Sequence, residues 1–143
     1  MTITLERANE LIARAIADAT RQGVRVAAVV IDAGGHIVSA QRMDGAYLTA
    51  LTIAERKAFT AVNFRMSTVA MRERLAQTDY QIQIQVTDPR LAFLPGGVPI
   101  RSGDAVIGGL GISGGTGAQD VQIAEAALVT PGSGDPSATA GPR

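Results

Sequence analysis

Two hairpin patterns, separated by helical patterns, constrain the fold of this chain more than any other feature of its sequence. The first covers residues 24–42 with a glycine turn at 32–35, and the second covers residues 98–113 with a turn at 102–104. A run of β-branched residues between glycines is typical of a buried strand, and two strands joined by a short glycine turn are typical of a hairpin. The sequence therefore predicts an antiparallel sheet made from two hairpins.

Helical periodicity surrounds the two hairpins. Apolar residues recur three and four positions apart after Thr4, which is placed to cap the first helix, and Gly23 is placed to end it. Further helices are predicted over residues 49–64, 67–75 and 120–128. The order helix, hairpin, helices, hairpin, helix predicts an α+β domain.

One stretch between the hairpins has a different period. Apolar residues at 80, 82, 84 and 86 alternate with Gln81, Gln83 and Gln85. A period of two is typical of a strand, so this stretch is predicted as an edge strand or an extended segment. This stretch is also a candidate for determining which ligand binds, or for acting as a lid over the site.

Charge and composition exclude several classes of function. The 143 residues include 13 basic and 13 acidic side chains without a block of either sign, which excludes the footprint of a nucleic-acid-binding or lipid-binding surface. The chain has no cysteine for disulfides or thiolate metal sites and no apolar run of membrane-spanning length. Glu6, Arg7 and Glu10 interrupt any signal peptide, so a cytoplasmic location is expected. Residues 1–129 are predicted to form one domain, and the small polar residues 130–143 to form a disordered tail.

The turn at residues 32–36, with the sequence DAGGH, is the first candidate site. Its glycines leave backbone amides open to a ligand, and Asp32 can accept hydrogen bonds from the turn. His36 is the only histidine of the chain, and histidine is a common haem ligand that titrates near neutrality. Local turn chemistry alone also explains these residues, so both interpretations stay open.

Two further candidates carry positive charge. Arg42 lies close enough to Asp44 to form a salt bridge within a turn, and the alternative is that it binds a ligand carboxylate bidentately. Lys57 is the only lysine in a chain that has twelve arginines. If Lys57 lies on the buried side of its helix, it must meet a carboxylate or a ligand anion, and otherwise it belongs to a solvated helix face.

Glycine-rich segments in the second half of the chain supply the remaining candidates. These are Gly96, Gly97, Pro99, Ser113 and Gly114. Neither segment has the terminal lysine of a phosphate-binding loop, so no nucleotide site is predicted. Gly108 and Gly109 lie inside a strand pattern, which indicates the close approach of a helix or of another subunit.

Four motifs, in this order and at this spacing, resemble the GlcG/HbpS-like family, which includes the C-terminal domain of PduO-type proteins. The motifs are VVIDAGGHIVSAQRMDGA, ERKAFTAVNF, LPGGVPI and VIGGLGISGGTGAQDVQIAEAAL, and the resemblance covers about residues 2–129. It implies a profilin-like α+β fold, with a five-stranded antiparallel sheet flanked by helices. It also implies homo-oligomers with an even number of subunits, often octamers.

The resemblance also implies a ligand pocket formed by glycine turns. Some members bind haem, PduO-like relatives are linked to corrinoid metabolism, and GlcG is associated with glycolate use. The expected ligand is therefore haem, a corrinoid or a small organic acid, and His36 is the candidate ligand of a haem iron. By matching position, the implied ligand-binding residues are Asp32, Gly34, Gly35, His36, Arg42, Asp44, Lys57, Gly96, Gly97, Pro99, Ser113 and Gly114.

Three classes of function follow from these residues. The first is a non-enzymatic protein that binds a small ligand. The second is a small catabolic isomerase, deaminase or hydrolase acting on a carboxylate-bearing intermediate. Its candidate catalytic residues are Lys57, Asp120 and His36. Lys57 would bind the carboxylate of the substrate, and Asp120 or His36 would transfer a proton. The third is a purely structural or assembly protein.

Overall fold

Residues 1–129, which the computed structural model describes, form five helices and four strands. In chain order these are α1 (Leu5–Gln22), β1 (Ala27–Asp32), β2 (Ile37–Arg42), α2 (Ala50–Phe64), α3 (Thr68–Leu75), α4 (Tyr80–Thr87), β3 (Gly97–Ser102), β4 (Ala105–Ser113) and α5 (Gly117–Leu128). The strands form one antiparallel sheet in the order β2-β1-β4-β3. Both predicted hairpins therefore form and pair through β1 and β4, and the α+β class is confirmed. The expected fifth strand is not found, since the described residues contain four.

The first helix begins and ends where its sequence signals predict. The Thr4 side chain accepts a hydrogen bond from the backbone N–H of Arg7, at 3.2 Å, and Gly23 ends the helix in the left-handed conformation at φ 71°. The apolar side of α1 buries Leu11 and Ile12 against one face of the sheet, where α5 packs beside it. This face carries the largest hydrophobic cluster of the described residues, because it combines two helices with the side chains of β4.

Helix α2 covers the opposite face of the sheet at unusually short range. Ala54 and Ala58 are fully buried against β4, which presents glycines at the contact. A Cβ atom on Gly111 would overlap the carbonyl of Ala54, and one on Gly109 would lie 2.7 Å from the carbonyl oxygen of Ala58. The close approach predicted at Gly109 is thus an approach of α2 to the sheet. At Gly108 a Cβ atom would instead meet the carbonyl oxygen of Ile31 and the side chain of Ile3.

The alternating stretch is a helix, so the prediction of an edge strand over residues 80–86 was wrong. Polar groups before α4 help to start the turn, because the backbone N–H of Tyr80 donates to the Thr78 hydroxyl and the Gln83 amide donates to the Asp79 carboxylate. In a helix, apolar residues two apart point in different directions. Only Ile84 packs on the small cluster beneath α4, which includes Phe93, and the other apolar residues of this stretch stay exposed.

Two further expectations concern membrane-spanning segments and the C-terminal residues. No helix within residues 1–129 is long and apolar enough to cross a membrane. The predicted disordered tail, residues 130–143, lies outside the described residues, and so does the boundary predicted for the domain.

Candidate functional site

The predicted site residues occupy three separate places on this fold. The DAGGH turn joins β1 to β2 at one end of the sheet, where Asp32 pairs with Gly108. Arg42 and Ser113 lie at the opposite end, since both pair with Ala27. Towards the Ser113 end, a third group is buried where α2 and α5 meet the sheet. It consists of Lys57, Asp120, Gly96 and Gly97.

The DAGGH turn is organised by one carboxylate oxygen. Oδ1 of Asp32 accepts hydrogen bonds from the backbone N–H groups of His36, at 3.0 Å, and Gly34, at 2.9 Å. These bonds, led by the one from His36, lower the pKa of Asp32 below its usual value. Nδ1 of His36 lies 3.5 Å from the same oxygen, and the His36 side chain is 83% exposed. The imidazole is therefore oriented by Asp32 and open to a ligand on its other nitrogen.

The lowered pKa of Asp32 predicts an acid-sensitive turn. A carboxylate whose folded pKa is depressed adds stability that is present above its unfolded pKa, near 3.8, and is lost as pH falls through the folded pKa. We expect wild type to be more stable than Asp32→Asn at pH 7, because a neutral amide accepts hydrogen bonds from the backbone N–H groups of the turn more weakly than a carboxylate does. The difference should shrink below about pH 4. Urea denaturation between pH 2 and 7 measures it, and a difference that does not change with pH would contradict this account.

A cleft of about 540 Å³ opens beside the DAGGH turn. Its walls come from this turn, the β3–β4 turn, the C-terminal end of α2 and Met1. Phe59, Val62 and Val106 give it apolar surface, and the edge of the Phe59 ring lies against Gly35. The Arg90 guanidinium stacks on the Phe59 ring, 4.5 Å from its centroid. The other lining residues are Ala33, Gly34, Asn63, Arg65, Asp104 and Ala105.

Lys57 and Asp120 form a buried ion pair. Nζ of Lys57 lies 3.1 Å from Oδ2 of Asp120 and donates to the carbonyl of Ile112 at 2.7 Å. The two side chains are 4% and 5% exposed. Burial lowers the pKa of Lys57, and the attraction of Asp120 opposes that shift. Oδ1 of Asp120 accepts the backbone N–H of Gly115 at 2.9 Å, so both groups are fully engaged by the protein.

The backbone around this pair is shaped to admit the lysine. Gly96 has φ +123°, and a Cβ atom there would lie 3.0 Å from Nζ of Lys57 and 2.5 Å from the carbonyl oxygen of Ile112. Only glycine combines that conformation with that space. Neither Lys57 nor Asp120 lines the cleft, and His36 hydrogen bonds to neither. Their arrangement is that of a structural link between α2 and α5.

Arg42 and Asp44 do not form the predicted salt bridge. Nη1 of Arg42 donates to the carbonyl of Ala46 at 3.1 Å, and Nη1 of Arg25 donates to the backbone carbonyl of Asp44 at 2.8 Å. Within residues 1–129, no carboxylate oxygen lies within 4.0 Å of the Arg42 guanidinium. The two arginines instead hold the loop between β2 and α2 by its backbone.

The structure brings Gly34 and Gly35 of the predicted set to the cleft, together with residues that sequence reasoning missed. Phe59, Val62 and Val106 fall within two of the family motifs but were not singled out, because their contribution depends on segments that meet only after folding. Arg65 could have been noticed from its position at the predicted end of α2. It follows the last residue of α2, where glycine or asparagine is usual.

Comparison with known proteins places this fold in a family. A family model described as “Haem degrading protein HbpS-like” matches residues 3–129. Protein GlcG of Escherichia coli K12 is 36% identical over 113 residues, which are 78% of this chain and 81% of that protein. The crystal structure of a double mutant of Streptomyces reticuli HbpS is 34% identical with a TM-score of 0.82, over 89% of this chain and 85% of that one. The crystal structure of a PduOC–haem complex is 27% identical with a TM-score of 0.82, over 89% and 93%. The motif-based resemblance is confirmed, and this chain belongs to the GlcG/HbpS-like family.

Proposed function

We propose that this protein is a ligand-binding protein that binds haem in the cleft beside the DAGGH turn. One observation carries the proposal: an apolar wall lies next to a turn that bears the only histidine of the chain. The family description names haem degradation, and one similar structure is a haem complex. Both support haem as the ligand, in preference to a corrinoid or a small organic acid.

The cleft combines an apolar side with polar and charged residues, and haem likewise combines an apolar macrocycle with carboxylates. The volume of the cleft falls within the range of about 300–1,000 Å³ that is usual for small-molecule sites. Phe59, Val62 and Val106 would contact the flat apolar macrocycle. When bound, haem supplies an iron centre for redox or oxygen chemistry.

His36 and Asp32 belong to the turn that borders the cleft, although neither lines it, and together they have the arrangement of a metal-binding pair. Histidines that ligate metals usually donate their other ring N–H to a carboxylate, which fixes the tautomer and the ring orientation. Asp32 is positioned to accept from Nδ1 of His36, and this leaves Nε2 for the metal. The exposure of the imidazole means that no internal contact has to break before it binds.

Haemin titration followed at the Soret band tests the proposal. We expect a saturable one-to-one spectrum for wild type, and for His36→Ala a shifted Soret maximum with affinity reduced at least about 10-fold, as for other perturbed metal sites. Gln41→Ala is the matched control, since Gln41 is an exposed residue of the strand that follows the turn. Its spectrum should equal that of wild type.

The same titration separates the competing ligands. A corrinoid or glycolate, added in excess, should leave the haemin spectrum unchanged if haem is the ligand of this cleft. Absence of a saturable spectrum in wild type would overturn haem binding. An unchanged spectrum in His36→Ala would remove His36 from the iron.

A further inference from the structure

Arg65 has a backbone conformation that glycine usually provides. It ends α2 at φ 56° and ψ 35°, and among residues 1–129 it is the one non-glycine residue with positive φ. This left-handed conformation is sterically costly for a residue that has a Cβ atom. Such strain persists where the surrounding structure enforces it, and it is concentrated at functional sites. Arg65 is therefore a candidate functional residue at the end of α2.

Arg101 contacts the backbone at this position from a distant strand. Its Nη2 donates to the backbone carbonyl of Arg65 at 2.6 Å, across 36 positions in sequence. That carbonyl belongs to the end of α2, where the helix has no partners of its own. The bond satisfies it and ties the helix end to β3. Arg101 therefore fixes the backbone from which the Arg65 side chain projects.

The charge of these arginines has no internal counterpart. Within the described part of the chain, no carboxylate oxygen lies within 4.0 Å of either guanidinium, and this includes Asp104, which lines the same cleft. Arg65 is an exposed residue that lines the cleft together with Phe59. An unpaired guanidinium next to an apolar wall matches a ligand that has a carboxylate on a flat apolar body, because arginine binds carboxylates bidentately.

We propose that Arg65 is the carboxylate-binding residue of the cleft, with Arg101 as its positioning residue, and that the cleft recognises the carboxylates of a porphyrin independently of any bond between His36 and the metal. This inference rests on the proposed haem-binding function, because both use the same cleft. It widens the ligand class to iron-free porphyrins with free carboxylates, and it excludes their esters.

Binding of iron-free protoporphyrin IX and of its dimethyl ester, followed by porphyrin fluorescence, tests the selectivity. For wild type we expect the free acid to bind about 10- to 100-fold more tightly than the ester, as for charge-assisted hydrogen bonds. Arg65→Gly should abolish this preference while the melting temperature stays equal or rises, because glycine relieves the backbone strain. Arg72→Ala, an exposed arginine on α3, is the control and should keep the preference.

Arg101 is tested by rescue. Arg101→Ala should reduce the preference for the free acid although Arg65 is intact, and Arg101→Lys should restore part of it, since lysine can still donate to the carbonyl. An unchanged preference in Arg101→Ala would overturn its positioning role.

Other outcomes separate the two proposals. Equal affinity for acid and ester in wild type, or a preference that survives in Arg65→Gly, would overturn the role of Arg65. In that case, a haemin spectrum that still depends on His36 would leave the proposed function standing. If wild type binds neither haemin nor protoporphyrin IX, both proposals are overturned.

Discussion

Replacing Lys57 by methionine should lower the free energy of unfolding by about 3–5 kcal/mol, as expected when one partner of a buried ion pair is removed. Methionine keeps the apolar part of the side chain but leaves the Asp120 carboxylate, which is 5% exposed, without its cation. The carbonyl of Ile112 loses its donor at the same time. Denaturation in urea at pH 7 measures the loss as a lower midpoint with an unchanged slope.

Two variants show whether the buried charge is the cause. In Lys57→Met combined with Asp120→Asn, no charge is buried, and the amide oxygen can still accept from Gly115. We expect this double variant to be more stable than Lys57→Met by about 1 kcal/mol or more, as for coupled neighbours. Arg56→Met, on the exposed side of the same helix, should change stability by less than about 0.5 kcal/mol. A similarly small effect for Lys57→Met would contradict the buried pair.

Replacing Gly111 by alanine should destabilise the protein by about 3 kcal/mol, at the upper end of the usual range for overpacking. The added methyl group would overlap the carbonyl of Ala54, which is main chain of α2 and cannot rotate away like a side chain. The helix would have to move away from β4 along the contact that buries Ala54 and Ala58. Thermal unfolding measures the loss as a fall in melting temperature.

Gly103→Ala is the matched control for this substitution. Gly103 has φ +59°, and a Cβ atom there would meet nothing within 4 Å. Its replacement therefore isolates the backbone cost, about 1 kcal/mol for one left-handed residue. Equal losses in the two variants would show that the closeness of α2 to the sheet is not what Gly111 provides.

The elements that local chemistry specifies could be predicted from the sequence. Caps at Thr4 and Ser67 and the turns of the two hairpins depend on residues a few positions apart, and all of them form as expected. The stretch over α4 could not be assigned by period alone, because its apolar residues alternate while its packing uses only Ile84. The expected fifth strand came from family resemblance, and no run in residues 1–129 supplies it.

The site was less predictable because its residues meet only in three dimensions. The sequence singled out Lys57 as a lone lysine that would need an anion if buried, but the anion is 63 positions away on α5. Arg42 and Asp44 are near neighbours in sequence, yet Arg42 donates to the carbonyl of Ala46, and the carbonyl of Asp44 accepts from Arg25. The cleft itself joins segments from four parts of the chain, and no local motif connects Phe59 with Val106.

Both hairpin turns, at 33–36 and 103–104, open at the same end of the sheet, and both border the cleft with the end of α2. Chain reversals of this kind accept insertions and replacements more readily than the ladder they connect. Changes in these two turns can therefore alter the ligand of the cleft without disturbing the alanine and glycine contacts beneath α2. Membership of the family therefore predicts the fold, whereas the ligand of each member has to be determined from the residues of its own turns.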